Sequence, residues 1–161
     1  MELNTKGRYA VMALADIAKY AGTETVSLSV VADRQKLSLD YLEQIFLKLR
    51  RAGLVDSARG RLGGYRLGRP ARDIRVAEIM TAVEEETRMT RCTEAGTPCL
   101  GEERCLTHGL WNALGAQISG FLWSVSLQEV VDGIPQEKYA RPRAPAPVAE
   151  MAAEITEPRP Q

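Results

Sequence analysis

The amino-acid sequence predicts a mainly α-helical chain with one small β-hairpin, an α+β fold with a helical amino-terminal domain, a connecting loop and a long helix after it. Three observations predict this. Apolar residues recur at three- and four-residue steps through most of the first 130 or so positions. One stretch, residues 54–67, breaks instead into two short runs around glycines. Residues 106–125 then sustain helical apolar spacing for about five turns.

Over residues 5–21, Tyr9, Met12, Ala13, Ile17 and Tyr20 describe one stripe of a first helix, ended by Gly22. Ser27 is placed to cap a short helix to about Lys36, and Ser38 to cap another that stops at Gly53. Two helices joined by a tight turn at Leu37 make a helix-turn-helix. In the second, Leu39, Leu42, Ile45, Phe46 and Leu49 share a face, so Asp40, Glu43, Gln44, Lys48 and Arg51 point outward. Residues 54–58 and 65–67 read as strands around a glycine-containing turn, a wing closed by Pro70. Ile74, Val76, Ile79, Met80 and Val83 outline a further helix that runs into Glu84-Glu85-Glu86, read as solvated surface.

Residues 88–104 contain Gly96, Pro98 and Gly101 with few large apolar residues and form a loop. After it, Leu110, Trp111, Leu114, Ile118, Phe121, Leu122 and Val125 present more apolar surface than a small domain covers, so this helix is expected to pair with its copy in a homodimer. Ser126 is placed to cap a last helix over residues 127–132, stopped by Gly133, and the Pro- and Ala-rich residues 134–161 are expected to be disordered. The expected division is a winged helix-turn-helix at 1–75, a connecting helix and loop at 76–105, a dimerisation helix and short terminal helix at 106–133, and the tail.

The 161 residues hold one modest domain, or a small domain plus an extension that needs a partner. No apolar run approaches the ~18 residues of a membrane span, and residues 1–20 lack a signal-type apolar core, which makes the cytosol the expected compartment. The net charge of zero hides a polarity. Residues 1–72 carry thirteen Lys and Arg against seven Asp and Glu, and the remainder eight against fourteen, so the halves are +6 and −6. The basic half suits a polyanion.

Cys92, Cys99 and Cys105 are separated by six and then five residues, and His108 follows Cys105 by three. Reducing cytosol disfavours disulfides, leaving metal binding, redox chemistry or inert burial for this odd number of thiols. The set uses every cysteine and the single histidine of the chain. If Leu106 begins the long helix, Cys105 lies at its positive end, where a thiolate is favoured, with His108 one turn along on the same face. Three thiolates and an imidazole can hold zinc, but structural zinc sites use Cys pairs two to four residues apart, which this chain lacks. The longer spacings suit an iron–sulfur cluster better, with zinc and unmetallated thiols left as alternatives. No hydrolase triad, phosphate loop or paired-carboxylate site is present, and the chain is not expected to be an enzyme.

Several strings together resemble the IscR family of iron–sulfur cluster-responsive regulators, a branch of a bacterial winged-helix family that also includes nitric-oxide-sensing and iron-responsive repressors. They are Lys6-Gly7-Arg8-Tyr9-Ala10-Val11; Ser38-Leu39 with Tyr41-Leu42-Glu43-Gln44; Arg59-Gly60 with Gly63-Gly64-Tyr65; and Cys105-Leu106-Thr107-His108 with Leu110-Trp111. The resemblance runs from about residue 2 to 131. It implies a homodimer on double-stranded DNA, with one 2Fe-2S cluster per subunit held by Cys92, Cys99, Cys105 and His108, that regulates cluster-assembly genes by cluster supply and contacts RNA polymerase where it activates. It implies further that Tyr41, Glu43 and Gln44, with Ser38 and Asp40 beside them, read the major groove and that Arg59 enters the minor groove. Each role is physically sensible: Gln44 suits an adenine edge, Glu43 accepts from cytosine N4 but repels phosphate, and a narrow minor groove attracts arginine. Glu43 then penalises one class of site unless cluster binding gives its carboxylate a partner; a bland alternative pairs it with Lys48. Lys36, Lys48, Arg50, Arg51 and Arg61 are read as phosphate contacts.

The chain departs from that pattern at three places. Asp40 stands where a small hydroxyl residue is usual, Arg61-Leu62 replaces a Pro- and Gly-rich wing tip, and six residues rather than five separate Cys92 from Cys99. The last departure brings the iron-responsive and nitric-oxide-sensing repressors nearer. Two other classes are a cluster carrier without sequence-dependent DNA affinity and a winged helix with structural zinc.

Overall fold

The computed structural model describes residues 5–22, 24–60, 63–84 and 105–139. Three helices open the chain: α1 (Thr5–Tyr20), α2 (Leu28–Gln35) and α3 (Leu39–Arg51). A hairpin of β1 (Val55–Ala58) and β2 (Gly64–Leu67) follows, paired antiparallel with Val55 opposite Leu67 and Ala58 opposite Gly64. After a 3-10 turn at Ala71–Asp73 come α4 (Val76–Ala82), α5 (His108–Ser124), α6 (Leu127–Asp132) and the single turn α7 (Gln136–Tyr139). The mainly α architecture with a small β-wing agrees with the sequence expectation. No helix among the described residues is long and apolar enough to cross a membrane.

The core forms where α1, α2 and α3 converge on the wing. Leu14, Ile17, Leu42, Phe46, Leu49 and Leu54 are all but fully buried. The stripe expected on α1 is rotated. Ala10, Ala13, Leu14 and Ile17 face inward while Tyr20 is more than half exposed, because small Ala10 and Ala13 let neighbouring helices come close. Arg34 stacks over the outward Tyr20 ring at 4.8 Å. Leu39, expected on the inner face of α3, is also partly exposed, since the first turn of α3 projects beyond the core.

One charged group enters this interior. The Asp16 side chain is fully shielded from solvent, and Arg34 donates to it from Nε at 3.1 Å to each oxygen and from a second nitrogen. Gln35 Nε2 adds a bond at 2.8 Å. A buried carboxylate requires such complete pairing, and it fixes α2 against α1.

The wing is tied down twice. Val26 and Tyr65 exchange backbone bonds of 2.9 and 2.8 Å, which puts β2 between β1 and a one-residue bridge. This approach requires glycine at position 64, where a Cβ would lie 2.4 Å from the Val26 carbonyl oxygen. At the base Arg69 pairs with Glu78 of α4. Burial pushes the Glu78 carboxyl up, but the Arg75 N–H and the Arg69 guanidinium outweigh it and hold its pKa below the ordinary value.

The two ends of the segment that carries the cysteines meet. The Val76 N–H donates to the Val125 carbonyl at 3.0 Å and the Leu127 N–H to the Ile74 carbonyl at 2.8 Å, an antiparallel bridge between Arg75 and Ser126. The start of α4 and the end of α5 are therefore joined at one backbone bridge. Ser126 caps α6 as expected, accepting from the Glu129 N–H while Glu129 returns to the Ser126 N–H at 2.8 Å. Leu127 of α6 and Ile79 of α4 enter the same core as α1, so one core joins residues on both sides of position 75.

Disorder was expected from residue 134, and α7 corrects this. Lys138 bonds Glu129 at 2.6 Å and the Ser124 carbonyl, long-range partners that fold one further turn onto the domain. The expectation for residues 140–161 lies outside the described residues.

Candidate nucleic-acid interface and candidate metal centre

The second helix of the helix-turn-helix is presented by a short, defined turn. Lys36 takes a left-handed conformation, φ 55°, and the Leu37 N–H closes on the Ala32 carbonyl at 3.0 Å. Ser38 then caps α3, its hydroxyl oxygen accepting from the Tyr41 N–H at 3.4 Å. The Ser38 hydroxyl proton can still be donated outward. Ser27, the other expected cap, bonds the Ser29 hydroxyl instead.

Asp40, Glu43, Gln44 and Arg51 are exposed along α3, as its periodicity requires. Tyr41 is half-buried, its ring edge-on to Tyr9 at 5.9 Å. Thr5, Tyr9, Lys36, Ser38 and Tyr41 line a surface cleft of about 540 Å³ beside the start of α3. Hydroxyls and one lysine around a helix N-terminus are groups that bind phosphate well.

Arg59 follows β1 at the wing tip and is exposed. Arg50 bridges from α3 to the wing, donating to the Ser57 hydroxyl at 3.3 Å. Lys48 is paired with Glu84 beyond the end of α4, not with Glu43. The Lys48 ammonium holds the Glu84 carboxyl below the usual carboxylate range. Glu84 is thus a partner of α3, where the sequence suggested plain solvated surface. Arg61 lies outside the described residues.

Cys105 and His108 are brought together in one turn at the head of α5. The His108 N–H donates to the Cys105 carbonyl at 3.0 Å, and the Cys105 sulfur lies 3.5 Å from the Thr107 hydroxyl. The expectation that Leu106 starts the helix is corrected. α5 begins at His108 with Thr107 as its N-cap, so Cys105 sits in the turn before the helix and His108 is the first helical residue, not one turn along. Both side chains are partly exposed, and thiol and imidazole are donor types that a soft metal takes. Among the described residues no third ligand joins them. Cys92 and Cys99, the other ligands expected, lie outside the described residues.

No residue of α5 is buried. Leu110, Leu114 and Phe121 are 61, 37 and 36% exposed, with Ile118 and Leu122 half-buried. At the far end Trp123, 52% exposed, lines a groove with Ala52, Leu54 and Thr81.

A capped helix-turn-helix, a glycine-pinned hairpin and an outward polar helix face define a winged-helix DNA-binding regulator. Comparison with known proteins makes the class specific. The profile of the Rrf2 family, described as an iron-dependent transcriptional regulator, matches residues 3–133, and the chain belongs to that family. It is similar to the HTH-type transcriptional regulator IscR of Photorhabdus laumondii, 49% identical over 132 residues that cover 82% of this chain and 80% of that protein. The IscR regulator of Xenorhabdus nematophila is 50% identical over 131 residues, 81% of this chain and 79% of its own length. Among solved structures, T. potens IscR superposes with a TM-score of 0.69 at 31% identity, covering 93% of this chain and 96% of that one. CymR, the global cysteine regulator of B. subtilis, gives 0.71 at 30% identity over 84 and 99%. The protein is a DNA-binding transcription regulator.

Proposed function

We propose that the chain is a cytoplasmic homodimeric regulator of cluster-assembly genes, whose operator choice is set by a 2Fe-2S cluster bound in each subunit by Cys92, Cys99, Cys105 and His108. The observation that carries this is the placement of Cys105 and His108 in one turn at the head of an unburied helix, within a chain similar to IscR regulators. Soft thiolates with one imidazole are a donor set that fits an iron–sulfur cluster, so these residues fit the group. When bound, the cluster supplies an occupancy and redox state that vary with iron–sulfur supply. The chain's residues do the rest.

Cys105 and His108 stand at the start of α5, and the segment containing them is closed at the Arg75–Ser126 bridge against the core that carries α3. Binding at Cys105 and His108 is therefore transmitted to the base of the DNA-binding domain. The apolar seam of Leu110, Leu114, Ile118, Phe121 and Leu122 supports pairing with a second copy. In the dimer, Tyr41, Glu43, Gln44, Ser38 and Asp40 read the major groove, Arg59 the minor groove, and Lys36, Lys48, Arg50, Arg51 and Arg61 contact phosphate. Domains at 1–75, 76–105 and 106–133 divide this labour. Contact with RNA polymerase belongs to promoters that the protein activates.

Anaerobic purification with iron, sulfide and zinc analysis tests the cofactor, on the parent chain and on His108→Ala. Iron and sulfide in equal amounts, with visible absorption altered by the substitution, are expected. One zinc per chain, or no metal, would overturn the cluster reading and leave a DNA-binding regulator.

A further inference from the structure

The ion pair of Lys48 with Glu84 joins the last turn of α3 to the residue just before the cysteine-bearing segment. It contributes little to the core. The Glu84 side chain is 74% exposed and that of Lys48 28%, and pairs this exposed add little to stability. Yet the backbone of Glu84 adopts φ 59°, a left-handed conformation disfavoured for any residue with a side chain. The chain accepts that strain and presents the carboxylate to α3. Lys6 of α1 lies close enough that its charge also acts on this carboxylate.

We propose that Glu84 competes with DNA phosphate for Lys48, so that the segment carrying it, eight positions before Cys92, sets how many cations α3 offers to the duplex. With Glu84 in place, Lys48 is neutralised internally and a negative charge faces approaching phosphates. When Glu84 is withdrawn, Lys48 is released to the backbone. The competition rests only on DNA binding by the winged helix. Its link to the cysteine segment rests in addition on the proposed cluster.

The test measures how affinity for a mixed-sequence duplex of about 30 base pairs, roughly three helical turns, varies with salt, using the full-length protein. Log K falls with log salt at about 0.9 per phosphate neutralised. Glu84→Gln is expected to bind several-fold more tightly at low salt, with a slope steeper by about 0.9. Glu84→Gly, which suits the left-handed backbone, is expected to give the same slope. Adding Lys48→Gln to either should abolish the gain. An unchanged slope in both Glu84 variants would overturn the proposal, as would a gain that persists without Lys48, which would make it a general field effect. A parent protein with no salt-dependent binding would overturn the DNA-binding reading itself, an outcome distinct from parent-like behaviour of the variants.

Discussion

Replacing Asp16 by alanine removes the carboxylate that joins α1 to α2. The side chain is fully shielded and accepts from Arg34 and Gln35. Breaking a buried pair costs about 3–5 kcal/mol because the remaining charge is left without compensation. Here Arg34 is 34% exposed and can recover part of its hydration, which brings the expected loss to the lower end, about 3 kcal/mol. With a urea m-value of about 2 kcal/mol/M, the unfolding midpoint should fall by about 1.5 M. The assay is urea unfolding followed by far-ultraviolet circular dichroism at one fixed protomer concentration, since self-association of the proposed kind would add to apparent stability. Replacing the whole pair, Asp16→Leu with Arg34→Met, removes both charges together and should lie within about 1 kcal/mol of the parent. A midpoint shift below about 0.3 M for Asp16→Ala, or a double variant as unstable as the single one, would refute the reasoning.

Gly64→Ala places a Cβ 2.4 Å from the Val26 carbonyl oxygen and should cost about 1–3 kcal/mol, read in the same unfolding assay, with weaker DNA binding as the wing detaches. Glu129 is held at about 2 by the Lys138 ammonium and by the Ser126 N–H and hydroxyl. Because this pKa lies below the ordinary 4.5, the stabilisation is present above pH 4.5 and lost as pH falls toward about 2; Glu129→Gln should lose less melting temperature than the parent between pH 6 and pH 3. Leu110→Glu with Phe121→Glu buries charge in the seam of α5 and should yield monomers in sedimentation velocity at micromolar concentration; an intact dimer would show that another surface joins the subunits.

The elements legible in the sequence are those whose signal is local. The periodicity of α3, the Ser38 and Ser126 caps and the glycines of the wing each follow from residues within a few positions of one another. The apolar excess of α5 was also visible, since no arrangement of so small a domain covers it. What the pattern did not carry is long-range pairing. The Val26–Tyr65 bridge, the Asp16–Arg34 pair, the Lys48–Glu84 contact and the Lys138 bonds that fold α7 each join positions with no sequence relation. Two signals in the sequence bear on them: the β-branched Thr25-Val26 after Gly22, and Asp16 set between Ala13 and Ile17 of the apolar stripe of α1. Of the candidate site, the proximity of Cys105 and His108 followed from their three-residue spacing, but the helix start did not: α5 begins at His108, two residues later than Leu106, with no side-chain cap at Thr107 to mark it.

The central claim is that occupancy of the cysteine and histidine site changes which DNA the protein binds. The most direct measurement is anaerobic selection of bound sequences from a random duplex library, run in parallel on cluster-loaded and cluster-free full-length protein. The account predicts two different preferred sites, each with approximate two-fold symmetry and half-sites about one helical turn apart. Identical preferences and affinities for the two forms would contradict it.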